Sequence, residues 1–190
     1  MRYAIICCSR TGNTARLAER ARRALDAAGA EEASSPADAD VTLLGSWTDK
    51  GGLDPSLADA LPALAGRRVF LFGTCGFGGD PAYYDRVLDR FASALPAGAE
   101  VVGRYMCQGQ MPPAVRERYV TMAEKDPARF EPMIENFDRA LGHPDDADLA
   151  GLVDALAAAG LVAAAQPASP APASPAIASP AEGASDAVRA

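Results

Sequence analysis

Ser9-Arg10-Thr11-Gly12-Asn13-Thr14 gathers three hydroxyls, a glycine and a guanidinium into six residues, between an apolar run and an amphipathic stretch. Hydroxyl donors, the unpaired amides that open a helix and a glycine that lets backbone approach a ligand suit a phosphate group. The same Ser and Thr are ordinary helix N-caps, which is the competing reading. Other phosphate motifs are missing: there is no G-x-x-x-x-G-K-[ST], and Gly12 lacks the companions of G-x-G-x-x-G. Asn13 and Thr14 stand where a phosphatase loop begun at Cys7 or Cys8 requires arginine.

Two further segments have unusual chemistry. Gly45-Ser46-Trp47-Thr48-Asp49-Lys50-Gly51-Gly52 holds the single Trp of the chain. An indole in a Gly-rich polar loop either offers a flat face to an aromatic ligand or plugs the edge of a sheet. Gly73-Thr74-Cys75-Gly76-Phe77-Gly78-Gly79-Asp80-Pro81 is richer still in glycine, with Tyr83 and Tyr84 just beyond it. Such a segment allows backbone groups to line the edge of a planar heterocycle. Hydrolytic and metal-dependent chemistry ranks low, because His143 is the only histidine and the four cysteines have no C-x-x-C spacing. Cys7, Cys8, Cys75 and Cys107 lie in or beside apolar runs and are expected to be free, buried thiols. His143, next to Pro144 and an acidic helix start, is expected to serve local capping.

These segments must be positioned by the elements around them. Continuous apolar runs at 3–8, 41–45, 69–72 and 99–107 suit strands buried on both faces, and a short strand is expected near 30–33. Leu17, Ala18, Ala21, Ala24, Leu25 and Ala28 recur at helical spacing before Gly29. A second helix is expected over 54–65, from Leu57, Ala60, Leu61 and Leu64, and a third opens at Asp80-Pro81 and buries Val87, Leu88, Phe91 and Leu95. Beyond the last strand, helices open at Pro112-Pro113 and Asp126-Pro127, and Pro132 is expected to break or kink the latter. Leu149, Leu152, Val153 and Leu156 form a final stripe, stopped by Gly160 with Leu161 placed for a hydrophobic C-cap contact. Strands alternating with helices imply an α/β doubly wound, mostly parallel sheet, whose ligands bind at the carboxyl ends of the strands.

The 190 residues suit one domain over 1–162, followed by an Ala-, Pro- and Ser-rich tail over 163–190 that is expected to be disordered. A net charge of −7 argues against nucleic-acid or anionic-membrane partners. No segment reaches the ~18–20 apolar residues of a membrane span, so a cytoplasmic protein is expected.

A phosphate-suited loop, an aromatic loop and a Gly-rich loop, in that order, resemble the flavodoxin family over roughly residues 1–160. Ser9–Thr14 is similar to that family's [ST]-x-T-G-[NT]-T loop for the FMN phosphate, and Trp47 looks like the ring that stacks on the isoalloxazine. Trp47-Thr48-Asp49-Lys50-Gly51 is similar to a W-x-D-K-G pattern in a compact branch of flavodoxin-domain proteins, one that includes a small partner of bacterial bilirubin reductase. The resemblance implies a five-stranded parallel sheet of order 2-1-3-4-5, here with extra helices after the last strand. It implies FMN as cofactor, held by Ser9, Arg10, Thr11, Gly12, Asn13 and Thr14, by Trp47, Thr48, Asp49, Lys50 and Gly51, and by Thr74, Cys75, Gly76, Phe77, Gly78 and Gly79. It further implies single-electron transfer from a reductase to a flavin- or metal-containing acceptor, with bilirubin reductase a candidate and no catalytic residue in the chain itself. The alternative is an FMN-dependent NAD(P)H oxidoreductase acting on quinones or small electrophiles. Arg10 departs from the neutral loop usual in flavodoxins, and Phe77, Tyr83 and Tyr84 compete to cover the outer flavin face. Gln108, at the end of the last strand, is a further candidate contact.

Overall fold

The computed structural model describes residues 1–164, so the expected tail lies outside the described residues apart from its first two positions. Five strands form one sheet of order β2-β1-β3-β4-β5: β1 (Arg2–Cys8), β2 (Glu31–Glu32), β3 (Val41–Trp47), β4 (Arg68–Cys75) and β5 (Glu100–Gln108). Every pairing is parallel, which is the doubly wound arrangement expected from the alternation of apolar runs and helices.

A buried parallel strand sends successive side chains to opposite faces, and the core follows that alternation. Leu43, Phe70 and Phe72 point to one layer, where they meet Leu17, Ala21 and Leu25 of α1 (Asn13–Ala27) and Leu152 and Leu156 of α5 (Asp146–Ala158). Leu44, Leu71 and Met106 point to the other, against Val87, Leu88 and Phe91 of α2 (Pro81–Ser93). Each fully buried Leu or Phe contributes about 1.5–3 kcal/mol, enough to fix the register of a sheet whose every strand is apolar. Both expected glycine stops close their helices in the same manner. The Ala30 and Gly29 amides donate to the Leu25 and Asp26 carbonyls, and the Leu161 and Gly160 amides to those of Leu156 and Ala157. Leu161 is buried beside Leu156, as its position after Gly160 suggested.

Two expectations are corrected. Residues 54–65 form no α-helix but two single turns of 3₁₀-helix, Pro55–Leu57 and Leu61–Leu64. Pro55 and Pro62 each start a turn and cannot donate to a continuous helix, so the apolar positions Leu57 and Leu64 are buried without one. Pro132 does not end its helix: α4 (Pro127–Arg139) runs through it. The Asp126 side chain caps the Arg129 amide at the start of α4, and Phe130 and Phe137 are buried on either side of Pro132, so packing outweighs one lost backbone bond. Before α4, α3 (Pro113–Ala123) buries no residue fully and leaves Met122 exposed. It leans on α4 through Tyr119 and Phe130, whose ring centroids are 6.4 Å apart, and through a two-point Arg116–Asp138 pair at 2.7 and 3.0 Å.

No helix of the described residues is long and apolar enough to cross a membrane.

Candidate functional site

The strand register sets Cys8 opposite Ser46, Trp47 opposite Thr74, and Cys75 opposite Gln108. The three segments singled out by their chemistry therefore leave the sheet side by side at one edge. Thr74 joins them. Its hydroxyl lies 2.8 Å from that of Thr14, both side chains being buried, and its carbonyl accepts from the Thr48 amide at 3.0 Å and the Thr48 hydroxyl at 3.1 Å. Thr14 thus turns inward to brace the second and third loops, and its hydroxyl is already engaged.

In the first loop, the residue preceding α1 is Gly12, at φ +88°, with no side chain capping the helix. The simple N-cap reading of Ser9 and Thr11 is thereby corrected: neither hydroxyl serves the helix start. The amides of residues 11–15 find no acceptor among the described residues, as the first turn of any helix requires of four of its donors. Ser9 Oγ is buried and has no hydrogen-bond partner. Thr42 Oγ1 is buried without a partner as well, but Ser9 alone of the two belongs to the segment with the unpaired amides, where a phosphate oxygen could accept from both kinds of donor. Asn13 Nδ2 donates to the Gln110 carbonyl at 2.8 Å, tying this loop to the chain leaving β5.

The second loop holds Trp47 at an angle set by its own neighbours. The indole N–H donates to Asp54 Oδ2 at 2.6 Å, while the Arg10 guanidinium lies 5.3 Å from the ring centroid. Hydrogen bonds from Ser56, and then from the Trp47 indole, hold the Asp54 carboxyl below the usual carboxylate range. Asp49 and Gly52 exchange both backbone hydrogen bonds, at 3.1 and 2.8 Å, around Lys50 at φ +49° and Gly51 at φ +85°. Positive φ at both central residues defines a tight turn of type I′, and Lys50 is exposed at its tip.

In the third loop the glycines meet the chain itself. A Cβ on Gly78 would collide with the Gln108 side-chain amide, and one on Gly76 would fall 2.6 Å from Met111 Sδ. Phe77, between them, is 40% exposed, whereas Tyr83 and Tyr84 pack against the second core layer. Phe77 is therefore the aromatic of this trio that faces outward. Cys75 is buried and its Sγ donates to the Phe77 carbonyl at 2.9 Å; burial pushes this thiol up to about 12. All four cysteines are free, as expected, but only Cys75 and Cys107 are buried; Cys7 and Cys8, at the end of β1, are half-buried, which corrects the expectation for that pair.

Three placements were not anticipated. Gln108 is buried with its amide committed to Gly76 O at 3.2 Å and to Asn136, so its role is within the protein. Asn136, on α4, reaches the third loop, and nothing in its sequence neighbourhood marks it. The α5 cap is Asp145, which forms a capping box with Asp148, and His143 joins from outside through Nδ1 at 2.6 Å from Asp148 Oδ2.

The flavodoxin domain model matches residues 4–157. The chain is similar to the flavodoxin-like domain-containing protein BilS of Clostridium symbiosum (strain WAL-14163), 37% identical over 188 residues, covering 85% of this chain and 99% of that protein. It is also similar to BilS of Clostridioides difficile (strain CD3), 26% identical over 112 residues, covering 58% of this chain and 64% of that protein. Among solved structures it is similar to two-electron reduced Megasphaera elsdenii flavodoxin, with a TM-score of 0.40 and 29% sequence identity, covering 60% of this chain and 90% of that one.

Proposed function

Because the chain belongs to the flavodoxin domain family, we propose that it is a cytoplasmic FMN-binding electron carrier, loaded by a reductase and unloaded by a second redox enzyme. The observation that carries this reading is Ser9 Oγ, buried and unpartnered at the mouth of α1. Ser9, Thr11 and the amides of Gly12 and Asn13 hold the phosphate, with the helix dipole adding favourable potential. Arg10 supplies a positive charge at the same end. Trp47, fixed by Asp54, and the outward-facing Phe77 cover the two faces of the ring system, while the 48–51 turn and the 76–79 loop flank its edges. Bound FMN supplies reversible one-electron chemistry; the chain supplies binding, orientation and electrostatics.

A net charge of −7 disfavours added negative charge on the cofactor and suits a partner with a basic docking face. The Trp47–Gly51 pattern supports bilirubin reductase as the acceptor. The test is a relay: the FMN-loaded chain is mixed with an NADPH-dependent flavoprotein reductase and cytochrome c. Electrons should reach cytochrome c at a rate proportional to the loaded chain, and the chain alone should leave NAD(P)H untouched. Steady NAD(P)H oxidation without a reductase would instead favour a quinone-reducing enzyme, for which the groove of about 590 Å³ lined by Pro113, Val120, Phe137 and Leu141 offers room. Bound FMN with no relay would end the carrier reading.

A further inference from the structure

Asn136 belongs to α4, outside the three loops, yet it is 4% exposed and spends its whole side chain on the third of them. Its Nδ2 donates to the Gly76 carbonyl at 2.9 Å and its Oδ1 accepts from the Gly78 amide at 3.2 Å. Gln108 Nε2 completes the cluster, at 3.2 Å from Gly76 O, 3.2 Å from Asn136 Oδ1 and 3.4 Å from Asn136 O. A side-chain amide that accepts from one residue and donates to the residue two before it does what a neighbouring strand would do. The third loop is thereby held as though the sheet continued past Cys75.

We infer that Asn136 is the positioning residue of the cofactor site, the group through which α4 sets the conformation of the Gly76–Gly79 loop against the flavin ring. This rests on the proposed flavin site. Of the loop's polar groups, Gly76 C=O and Gly78 N–H face the clamp, Phe77 C=O takes the Cys75 thiol, and Phe77 N–H has no acceptor among the described residues. The Phe77 ring, 40% exposed, and the Phe77 amide are thus among the groups of the loop left for a ligand. The amide orientation is dictated by its partners, since only nitrogen can donate to Gly76 O and only oxygen can accept from Gly78 N–H.

The substitution that reads this out is Asn136→Asp, which keeps the shape and the acceptor but loses the donor when ionised. Burial and the facing Gly76 carbonyl raise such a carboxyl above its ordinary value, against the opposing pull of Gly78 N–H and Gln108 Nε2, and below the raised value the acid again carries a proton for Gly76 O. Riboflavin is the probe, because it has no phosphate to titrate. Asn136→Ala should weaken FMN and riboflavin binding by the same factor, about fivefold or more. Asn136→Asp should bind riboflavin as poorly at pH 8 and recover toward wild type near pH 5.5, while the wild-type affinity stays flat. A flat profile for Asn136→Asp, or loss confined to FMN, overturns the inference while leaving the cofactor reading intact. Failure of the wild type to bind either flavin defeats the cofactor reading itself. Should neither variant fold, amide exchange on the wild-type chain decides: Gly78 N–H should exchange far more slowly than Phe77 N–H, and equal rates overturn the clamp.

Discussion

Replacing Ser9 by Ala separates a ligand-binding hydroxyl from a structural one, because the two roles predict opposite signs for stability. Ser9 Oγ is buried with no partner, and a buried hydroxyl in that state costs about 1–3 kcal/mol. Ala removes it at the expense of no bond, so the flavin-free protein should become more stable. For a domain of this size 1 kcal/mol is about 2–4 °C in Tm, and a rise of at least that order is expected. A hydrogen bond to a charged phosphate contributes about 1.5–3 kcal/mol, so the FMN dissociation constant should rise about 10- to 150-fold while that of riboflavin is unchanged. The assay pairs thermal melts without flavin with fluorescence titrations of both flavins. A lower Tm together with an unaltered FMN-to-riboflavin preference would show that Ser9 serves the fold and not a phosphate.

Gly45 faces the Phe72 ring across β3 and β4 so closely that Gly45→Ala should lower the free energy of urea unfolding by about 1–3 kcal/mol; an unchanged midpoint would contradict the packing. Asp54 has a folded-state value below its unfolded one, so the stability it adds is present above the ordinary carboxylate value of about 3.9 and is lost as pH falls through the lowered folded value. Trp47 emission should therefore hold steady down to that range and shift only below it, whereas a shift between pH 5 and 6 would place another group against the indole. Gly51→Val puts a β-branched residue at φ +85° beside Arg90 and should weaken both flavins alike, by about tenfold; selective loss of FMN would move this turn to the phosphate end of the site. Burial pushes the Cys75 thiol up to about 12 and partial burial that of half-buried Cys7 to about 11, so both should resist a thiol-specific reagent at pH 8 until the chain unfolds, and rapid labelling of Cys75 in the native state would contradict its burial.

What could be read from the amino-acid sequence was whatever depends on neighbours in the chain. The apolar runs became β1, β3, β4 and β5, and both glycine stops close their helices by the hydrogen bonds their positions implied. The three loops converge because the strands before them are neighbours in a parallel sheet; the parallel sheet was legible from the alternation of apolar runs and helices, whereas its order came from the family resemblance. The expected helix at 54–65 failed where proline chemistry outweighed apolar spacing, since two seven-apart leucines can be buried by two single turns as well as by one helix. Pro132 does not break α4, the other outcome allowed for it being a kink, because the packing of Phe130 and Phe137 is a long-range effect that outweighs a local penalty. Asn136 stayed hidden for the same reason: its partners lie 58 and 60 residues away, and nothing in its own vicinity marks it. The glycines at 76 and 78 are pressed by Met111 and Gln108, groups of this chain that lie about 30 residues on and could not be read from the loop itself.

The account stands or falls on phosphate-dependent flavin binding at the mouth of α1, and titration of the wild-type chain with FMN and with riboflavin measures it directly. One FMN per chain should bind with its fluorescence quenched, and riboflavin should bind at least about tenfold more weakly for want of the phosphate contacts. No binding of either, or equal binding of both, would contradict it.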